Sequence, residues 1–583
     1  AYFFPTIYAA TGVKVKTLGD LPACVGVLKS LITNQEDLGQ ALNAGLATAV
    51  GAEILEGLKF VEPKDAYEQA TVPGIGFVPD PIIRSLGVPL VTGDIPGVAV
   101  VLGKAEKAED VAAVVKGYQS KGIMTFMIGD VIEQCAEQGV KMGLELRVIP
   151  LGHDVTAVIH VVTVAIRAAL IFGNVQPGDL AGLLAYTKER VPAFVNTFGD
   201  IDPVVVSAGA GAIALGFPVV VDVDLGENQV PGALESCTDH SETVKKSFEL
   251  RGIKIKSKEL PIPVAFAAAF EGEIIRKADM QVEFWSAKNT TCELVQMKDA
   301  SEVEDHKITV DGPDIDSGDL EYALATCIYV AGKKMQADFE SVIERKIHAW
   351  FNYMEGVMHT GQRNQFRIRI SKDAYEHGLR LHHFGEVLYH MIMDEFDAVV
   401  DKCEVRLITD PEKATKFLNE VAMPRYNARD DRLASMTDES VDRFFTCILC
   451  QSFAPAHCCV VTPERLGLCG AVSWLDAKAT YELNPNGPSQ PILKEGCLDE
   501  RTGRYTTVNE AIKDATHGAV EEVTLYSIME DPMTSCGCFE CISGIEPMSN
   551  GFIVVNREYA GMTPAGMTFG ELASCTGGGV QTP

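Results

Sequence analysis

The chain is short of basic residues, of long apolar runs and of the usual phosphate-binding loops, and each shortage closes a class of function. With 50 lysines and arginines against 80 aspartates and glutamates its formal charge is −30, a sign that repels phosphate backbones and anionic membrane surfaces at long range. Nucleic acid is therefore not an expected partner. The longest uncharged stretch, Val204 to Val221, contains Gly209, Gly211, Gly216 and Pro218, a composition suited to buried strands and a tight turn and not to a membrane-crossing helix. No Walker-type loop is evident. Gly209-Ala-Gly211-Ala-Ile-Ala-Leu-Gly216 has the spacing GxGxxxxG where a dinucleotide-binding turn has GxGxxG, so its glycines are expected to serve close helix-to-strand packing. A basic, then apolar, leader is also missing. Ala1 opens the chain without methionine, which reads as a trimmed or partly covered N-terminus, not a secretion signal, on a protein expected in the cytoplasm.

What the chain does have is length, apolar content and clustered cysteine. Its 583 residues, 47% of them hydrophobic, suffice for roughly three or four domains with large cores. It is not a small scaffold held by disulfides. Ten of its 16 cysteines (Cys447, Cys450, Cys458, Cys459, Cys469, Cys497, Cys536, Cys538, Cys541 and Cys575) fall after residue 440. In a reducing compartment such crowding points to metal ligation.

From Val98 short apolar runs alternate with amphipathic ones: Val98–Leu102, Ala105–Tyr118, Ile123–Ile128, Val131–Met142 and Leu146–Leu151. Strands alternating with helices of this length predict a parallel, helix-covered sheet. Ala157–Phe172 continues it as an apolar helix, and Val204–Ser207 with Val219–Val223 are expected as two more buried strands. The fold class is α/β and multidomain: a Rossmann-like parallel-sheet domain over residues 1–254, then two mixed α/β (α+β) domains at 255–440 and 441–583. The second begins near Leu260-Pro-Ile-Pro-Val264, after a charged passage. Helical patches are expected at Phe339–Met354 and Gly385–Phe396. Arg367-Ile-Arg369-Ile alternates at strand period, which puts both arginines on one face with Arg363 just upstream. Such a face can grip phosphates bidentately, although exposed strands carry arginine in any case.

Cys447-x2-Cys450 with Cys459 and Cys469 provides four soft thiolates, the ligand count of a [4Fe–4S] cubane or a structural zinc site. Cys536-Gly537-Cys538 is more discriminating. Two sulfurs and the intervening backbone nitrogens can wrap one ion in a flat chelate, which suits Ni(II) or Cu(II) better than tetrahedral zinc. Glycine removes the Cβ that would hinder that wrap. A mixed iron–sulfur and nickel assembly is the sharp expectation. An iron–sulfur electron-transfer protein without nickel, or a zinc-stabilised scaffold, are its alternatives. Cys458 adjoins Cys459, and spacing alone allows either as a ligand. Cys541, Cys497 and Cys575 are expected as structural thiols, and His457 as a residue that holds its loop by hydrogen bonds.

The run Phe445-Thr446-Cys447-x-x-Cys450-Gln-Ser-Phe453-Ala-Pro455, then Thr462-Pro-Glu-Arg465-x-Gly467-x-Cys469-Gly470, then Cys536-Gly-Cys538-Phe539, resembles the acetyl-CoA synthase family of the CO dehydrogenase/acetyl-CoA synthase complex. The likeness extends over essentially the whole chain, including Leu260-Pro-Ile-Pro and Phe270-Glu-Gly. It implies that Cys447, Cys450, Cys459 and Cys469 hold a [4Fe–4S] cluster, with Cys450 bridging to a proximal nickel. Cys536, the backbone at Gly537 and Cys538 hold a distal nickel, and their sulfurs bridge inward. The proximal position could equally take copper or zinc. Phe453 resembles an aromatic that covers the proximal metal, and Phe172 is a further candidate for that apolar pocket.

The activity implied is that of a CO-methylating acetyl-CoA synthase, an acyltransferase of anaerobic carbon fixation by the Wood–Ljungdahl pathway. It joins CO, a methyl group delivered by a corrinoid iron–sulfur protein, and coenzyme A. The resemblance further implies a CO dehydrogenase subunit facing residues 1–254 and ferredoxin as an electron partner. Arg363, Arg367 and Arg369, in the middle domain, are the candidates for the CoA phosphates. Relative to that family the chain is expected to begin after a helical segment that docks CO dehydrogenase and to stop early at Gln581-Thr-Pro583. Fragments of such unequal size must reach one nickel, so domain rotation near residues 255 and 440 is expected.

Overall fold

The computed structural model describes residues 5–15, 18–20, 23, 47–54, 95–143, 146–153, 157–171, 173, 175–200, 203–255, 259–266, 275–316, 321–452, 454–467, 472–526, 541–546, 551–556 and 561–562. They divide into two compact units: residues 1–331, 344–418 and 452–455 form the first, and 332–343, 419–451 and 456–583 the second. No helix among the described residues is long and apolar enough to cross a membrane.

The first unit opens with six strands, β1 (Val98–Gly103), β2 (Met124–Ile128), β3 (Val148–Pro150), β4 (Ala193–Phe198), β5 (Val219–Val221) and β6 (Leu234–Ser236). They form one sheet in the order β3-β2-β1-β4-β5-β6, every pair parallel. This is the doubly wound Rossmann order, in which the chain reverses direction across the sheet between β1 and β4. Both faces are apolar because strand side chains alternate. Val98, Val100 and Leu102 enter one core with the helix Val158–Ile171, whereas Ala99 and Val101 enter the other with Val111, Val115 and Tyr118 of the helix Ala108–Gln119. Each fully buried side chain of this kind contributes about 1.5–3 kcal/mol. One polar cluster sits among them: the buried Tyr118 hydroxyl donates to Asn196 Oδ1 at 2.6 Å and lies 3.0 Å from Ser247 Oγ. These contacts keep the phenol and amide satisfied inside an apolar layer.

The expected strand at Val204–Ser207 is instead part of the helix Pro203–Ala214, and Gly209 and Gly211 lie inside that helix. An unbroken apolar run carries no period with which to tell a buried strand from a buried helix. Pro203 was the informative residue, since proline suits the first helical position. Strands β4 and β6 and the helix Leu180–Arg190 were not anticipated.

At the carboxyl ends of β1 and β4, where such folds hold nucleotides, the last rung of the ladder lies beside two glycines. Lys104 N–H donates to Phe198 C=O at 2.9 Å. A Cβ on Gly103 (φ +102°) would lie 2.2 Å from the Phe198 oxygen, and one on Gly199 (φ +78°) 2.1 Å from the Lys104 oxygen. Only glycine permits both the positive φ and the approach.

The rest of the first unit carries two mixed four-stranded sheets built from β7 (Met280–Trp285), β8 (Thr291–Met297), β9 (Lys307–Asp311), β10 (Glu321–Tyr322), β11 (Leu324–Ala331), β12 (Val357–Gln362), β13 (Gln365–Ser371) and β14 (Lys402–Ile408). Their orders are β10-β7-β13-β12 and β8-β11-β14-β9. Helices Ile347–Asn352 and Leu381–Glu395 of this unit occupy helical patches expected from sequence, as does Glu340–Glu344, nearly all of which is counted with the second unit. The second unit holds an antiparallel sheet in the order β16-β15-β17, from β15 (Arg443–Cys447), β16 (Cys459–Val461) and β17 (Pro491–Leu493). Two hairpins follow, β18 (Cys497–Asp499) with β19 (Arg504–Tyr505), and β20 (Cys541–Glu546) with β21 (Gly551–Asn556).

Candidate metal centre

Arg443-Phe-Phe-Thr-Cys447 sends alternate side chains into two apolar layers. Phe444 packs with Cys458, Val460, Ile492 and Tyr505, whereas Phe445 and Cys447 pack with Cys459, Val461 and Trp474. Cys447 and Cys459 are direct register partners on β15 and β16. Two buried thiols therefore face the same side of the sheet across one strand gap. Cys458, one residue earlier, points into the opposite layer. Burial, with Cys459 and Cys447 nearby, pushes its thiol up to about 12. His457 Nε2 lies 3.1 Å from Cys459 Sγ.

Cys450 follows in the 3-10 turn Leu449–Ser452, half-buried, where the chain leaves β15. Ile448 N–H donates to Pro488 C=O at 3.1 Å, and Gln451 N–H closes the turn on Ile448 C=O at 3.0 Å. Cys450 thus sits on a tethered turn beside the strand that carries Cys447. Residues 452–455 are counted with the first unit, whose core buries Ala454.

Cys469, Phe453, Cys536, Gly537, Cys538 and Phe172 lie outside the described residues, but the chain on either side of several of them is anchored. Gly467 N–H donates to Val472 C=O at 2.9 Å, so the described residues on either side of Cys469 are tied together. Ser473 then caps the helix Trp474–Leu483 through a reciprocal pair with Asp476. Upstream of Cys536 the last described residue is Tyr526. Its backbone N–H donates to Thr502 C=O at 3.0 Å, and its ring lies 4.4 Å from the Arg465 guanidinium. Burial raises the Tyr526 phenol far above its usual range. Arg465 is itself held by the buried Asp438 at 2.9 Å, and that carboxylate also accepts from Glu464 N–H at 3.2 Å. The Thr462-Pro-Glu-Arg465 motif was legible in the sequence. Asp438 was not, because nothing marks a partner more than twenty residues away.

In the first unit Arg367 and Arg369 occupy the less buried face of β13, as strand period requires. Both point at one carboxylate: Glu283 Oε1 on β7 lies 2.8 Å from Arg367 Nε and 3.1 Å from Arg369 Nε. The Arg367 guanidinium also stacks 4.4 Å over Trp285. Two guanidiniums against one carboxylate leave one net positive charge on a preorganised, half-exposed face. Arg363, half-buried, sits in the turn between β12 and β13, where its C=O accepts from Glu293 N–H at 2.7 Å. Glu283 was missed from sequence, although its place in Met-Gln-Val-Glu-Phe-Trp puts it opposite Arg369.

Comparison with known proteins gives three family matches. Residues 426–583 match the C-terminal family of the ACS/CODH beta subunit, residues 262–414 the CO dehydrogenase/acetyl-CoA synthase complex beta subunit, and residues 1–61 the carbon monoxide dehydrogenase subunit alpha N-terminal domain. The whole chain is 44% identical to the carbon monoxide dehydrogenase/acetyl-CoA synthase subunit alpha of Moorella thermoacetica and spans 80% of it. It is 40% identical over its whole length to an acetyl-CoA decarbonylase/synthase complex subunit beta 1 of Methanocaldococcus jannaschii, of which it spans 76%. A beta subunit of the same complex from Methanopyrus kandleri is 44% identical over 55% of the chain, covering 69% of that relative.

Proposed function

Because the chain belongs to the family of CO dehydrogenase/acetyl-CoA synthase complex beta subunits, we propose that it makes acetyl-CoA from CO, a methyl group carried by a corrinoid protein, and coenzyme A. The chemistry is CO-methylating acyl transfer within a complex that includes a CO dehydrogenase subunit. The observation that carries this reading is full-length identity to synthase subunits in a chain whose Cys447 and Cys459 face each other on one side of a sheet.

The donor set fits a nickel–nickel–[4Fe–4S] group. Cys447, Cys450, Cys459 and Cys469 would hold the cubane, all soft thiolates, with Cys450 shared toward the proximal metal. Cys536, Cys538 and the backbone at Gly537 would hold the distal nickel. When bound, this group supplies the making of the carbon–carbon and carbon–sulfur bonds.

The chain's own residues hold and admit. Cys447 and Cys459 are fixed by strand pairing and burial, so their sulfurs do not move with solvent. Cys450, half-buried on its turn, would be the thiolate shared with the proximal metal. Phe453 excludes water from the proximal position. Arg363, Arg367 and Arg369 bind the phosphates of coenzyme A, with Glu283 and Trp285 orienting the guanidiniums. Arg367→Ala then weakens coenzyme A in equilibrium titration while leaving iron and nickel unchanged; unchanged affinity removes the arginine face from the reading.

Metal analysis joined to a CO/acetyl-CoA carbonyl exchange assay tests the whole. Active protein is expected to hold about two nickel per four iron, and Cys538→Ala to lose exchange with the cubane retained. Iron and sulfide without nickel in an active preparation, or full exchange by Cys538→Ala, overturns the proposal.

A further inference from the structure

Away from the cysteines, a second set of metal-ligating side chains converges inside the first unit. Glu293 lies on β8, the edge strand of one four-stranded sheet, and His359 on β12, the edge strand of the other. His348 comes from the helix Ile347–Asn352. Glu293 and His359 are fully buried, and the His348 side chain is 25% exposed.

His359 Nε2 lies 2.8 Å from Glu293 Oε1, His348 Nε2 lies 3.1 Å from Glu293 Oε2, and His348 Nδ1 lies 3.2 Å from His359 Nε2. One donor atom from each residue fits within 4.8 Å of the other two. Around a tetrahedral zinc ion with bonds near 2.0–2.2 Å, neighbouring donors stand about 3.3 Å apart. The 4.8 Å limit on a set with one donor per residue brackets that spacing, so the three side chains converge on the volume of one ion.

Neighbouring residues hold His359 in place. Asn352 clamps the His359 backbone from both sides, accepting its N–H at 2.7 Å and donating to its C=O at 2.9 Å. His348, Phe351 and Asn352 fall at i, i+3 and i+4 of one helix and so share a face. The Phe351 and Phe366 rings pack 5.5 and 5.1 Å from the His359 ring.

The geometry points to a divalent-metal site of zinc type at Glu293, His348 and His359, with the partly exposed side of His348 left for a fourth, exchangeable ligand. Such an ion would join the free edges of the two sheets where Glu293 N–H meets the hairpin turn at Arg363. Its role is to brace that hairpin. No step of the synthase reaction uses it, and the site stands whether or not the proposed activity does.

The test uses the full chain and Zn2+ alone as the probe. Anomalous diffraction from zinc-soaked crystals is expected to place an ion bonded to all three side chains. Elemental analysis should show about one equivalent fewer zinc per chain in Glu293→Gln, which keeps the side-chain volume, and in His348→Ala, whose site is partly open. Added zinc should raise the thermal midpoint of wild type more than that of either variant. Zinc found only at the cysteines or at the exposed His306, Glu386 and His390 cluster, or equal zinc in wild type and both variants, overturns the proposal and leaves the three residues as a hydrogen-bonded strut.

Discussion

Cys458 and Cys459 are chemically identical neighbours that the pleat of β16 sends into different layers. Only the second shares a face with Cys447, so substituting them should have opposite consequences. Cys458→Ala is expected to keep iron and sulfide at wild-type levels, whereas Cys459→Ala loses them, as read by metal and sulfide analysis of anaerobically prepared protein. Equal losses would mean that the register across β15 and β16 does not select the ligand. The cysteine positions are legible in the sequence because their spacing is local information. What was not legible is which partner steadies each donor. Asp438 for Arg465 and Glu283 for Arg367 and Arg369 are acidic residues among 80, and only the fold brings them to their cations. The Glu293, His348 and His359 set was hidden for the same reason: it joins two sheets and a helix with no common spacing.

At the scale of elements, period was a good guide where it existed. Strands β1 and β2 and the helix Ala108–Gln119 fell close to where alternation put them, and β13 presented its arginines on one face. The reading failed at Pro203–Ala214, where an apolar run carries no period. The two turns after β1 and β4 depend on glycine, and Gly199→Ala should lower stability by about 2–4 kcal/mol, from a positive φ and a Cβ 2.1 Å from the Lys104 oxygen. Gly139→Ala isolates the backbone part of that cost, since Gly139 has φ +71° and an added methyl there would meet nothing within 4 Å; its thermal midpoint should fall much less. Equal shifts would show that the close approach does not matter.

The terminal helical stretches supply a pH test. Glu53 accepts the amides of Thr6 and Ile7 at 2.8 and 2.9 Å, contacts that favour its charge, but burial wins and lifts its carboxyl from 4.5 to about 7. Between those values the folded state keeps a proton that the unfolded state has lost, so this contribution is present at low pH and falls away as pH rises toward 7. Over the window it amounts to about 3 kcal/mol. Hydrogen exchange at Thr6 and Ile7, corrected for intrinsic rates, should show easier opening at pH 7.5 than at pH 5. Glu53→Gln should remove the difference; a variant with the wild-type pH profile would reassign it to another group.

On the scale of the whole molecule, the chain passes between its two compact units at 331–332, 343–344, 418–419, 451–452 and 455–456. A rotation that admits a corrinoid protein and then coenzyme A would have to be shared among these passages, one of which directly follows Gln451. Small-angle scattering should show the radius of gyration changing when CO and a methyl donor are added to metal-loaded protein. One unchanging compact profile under all these conditions would exclude such gating. The parallel sheet has a separate significance. At its switch point the β1/β4 ladder ends with the bond from the Lys104 amide to the Phe198 carbonyl. Two backbone approaches there admit glycine alone, so a larger residue at Gly103 or Gly199 is excluded by the chain itself, whatever else that edge of the sheet meets.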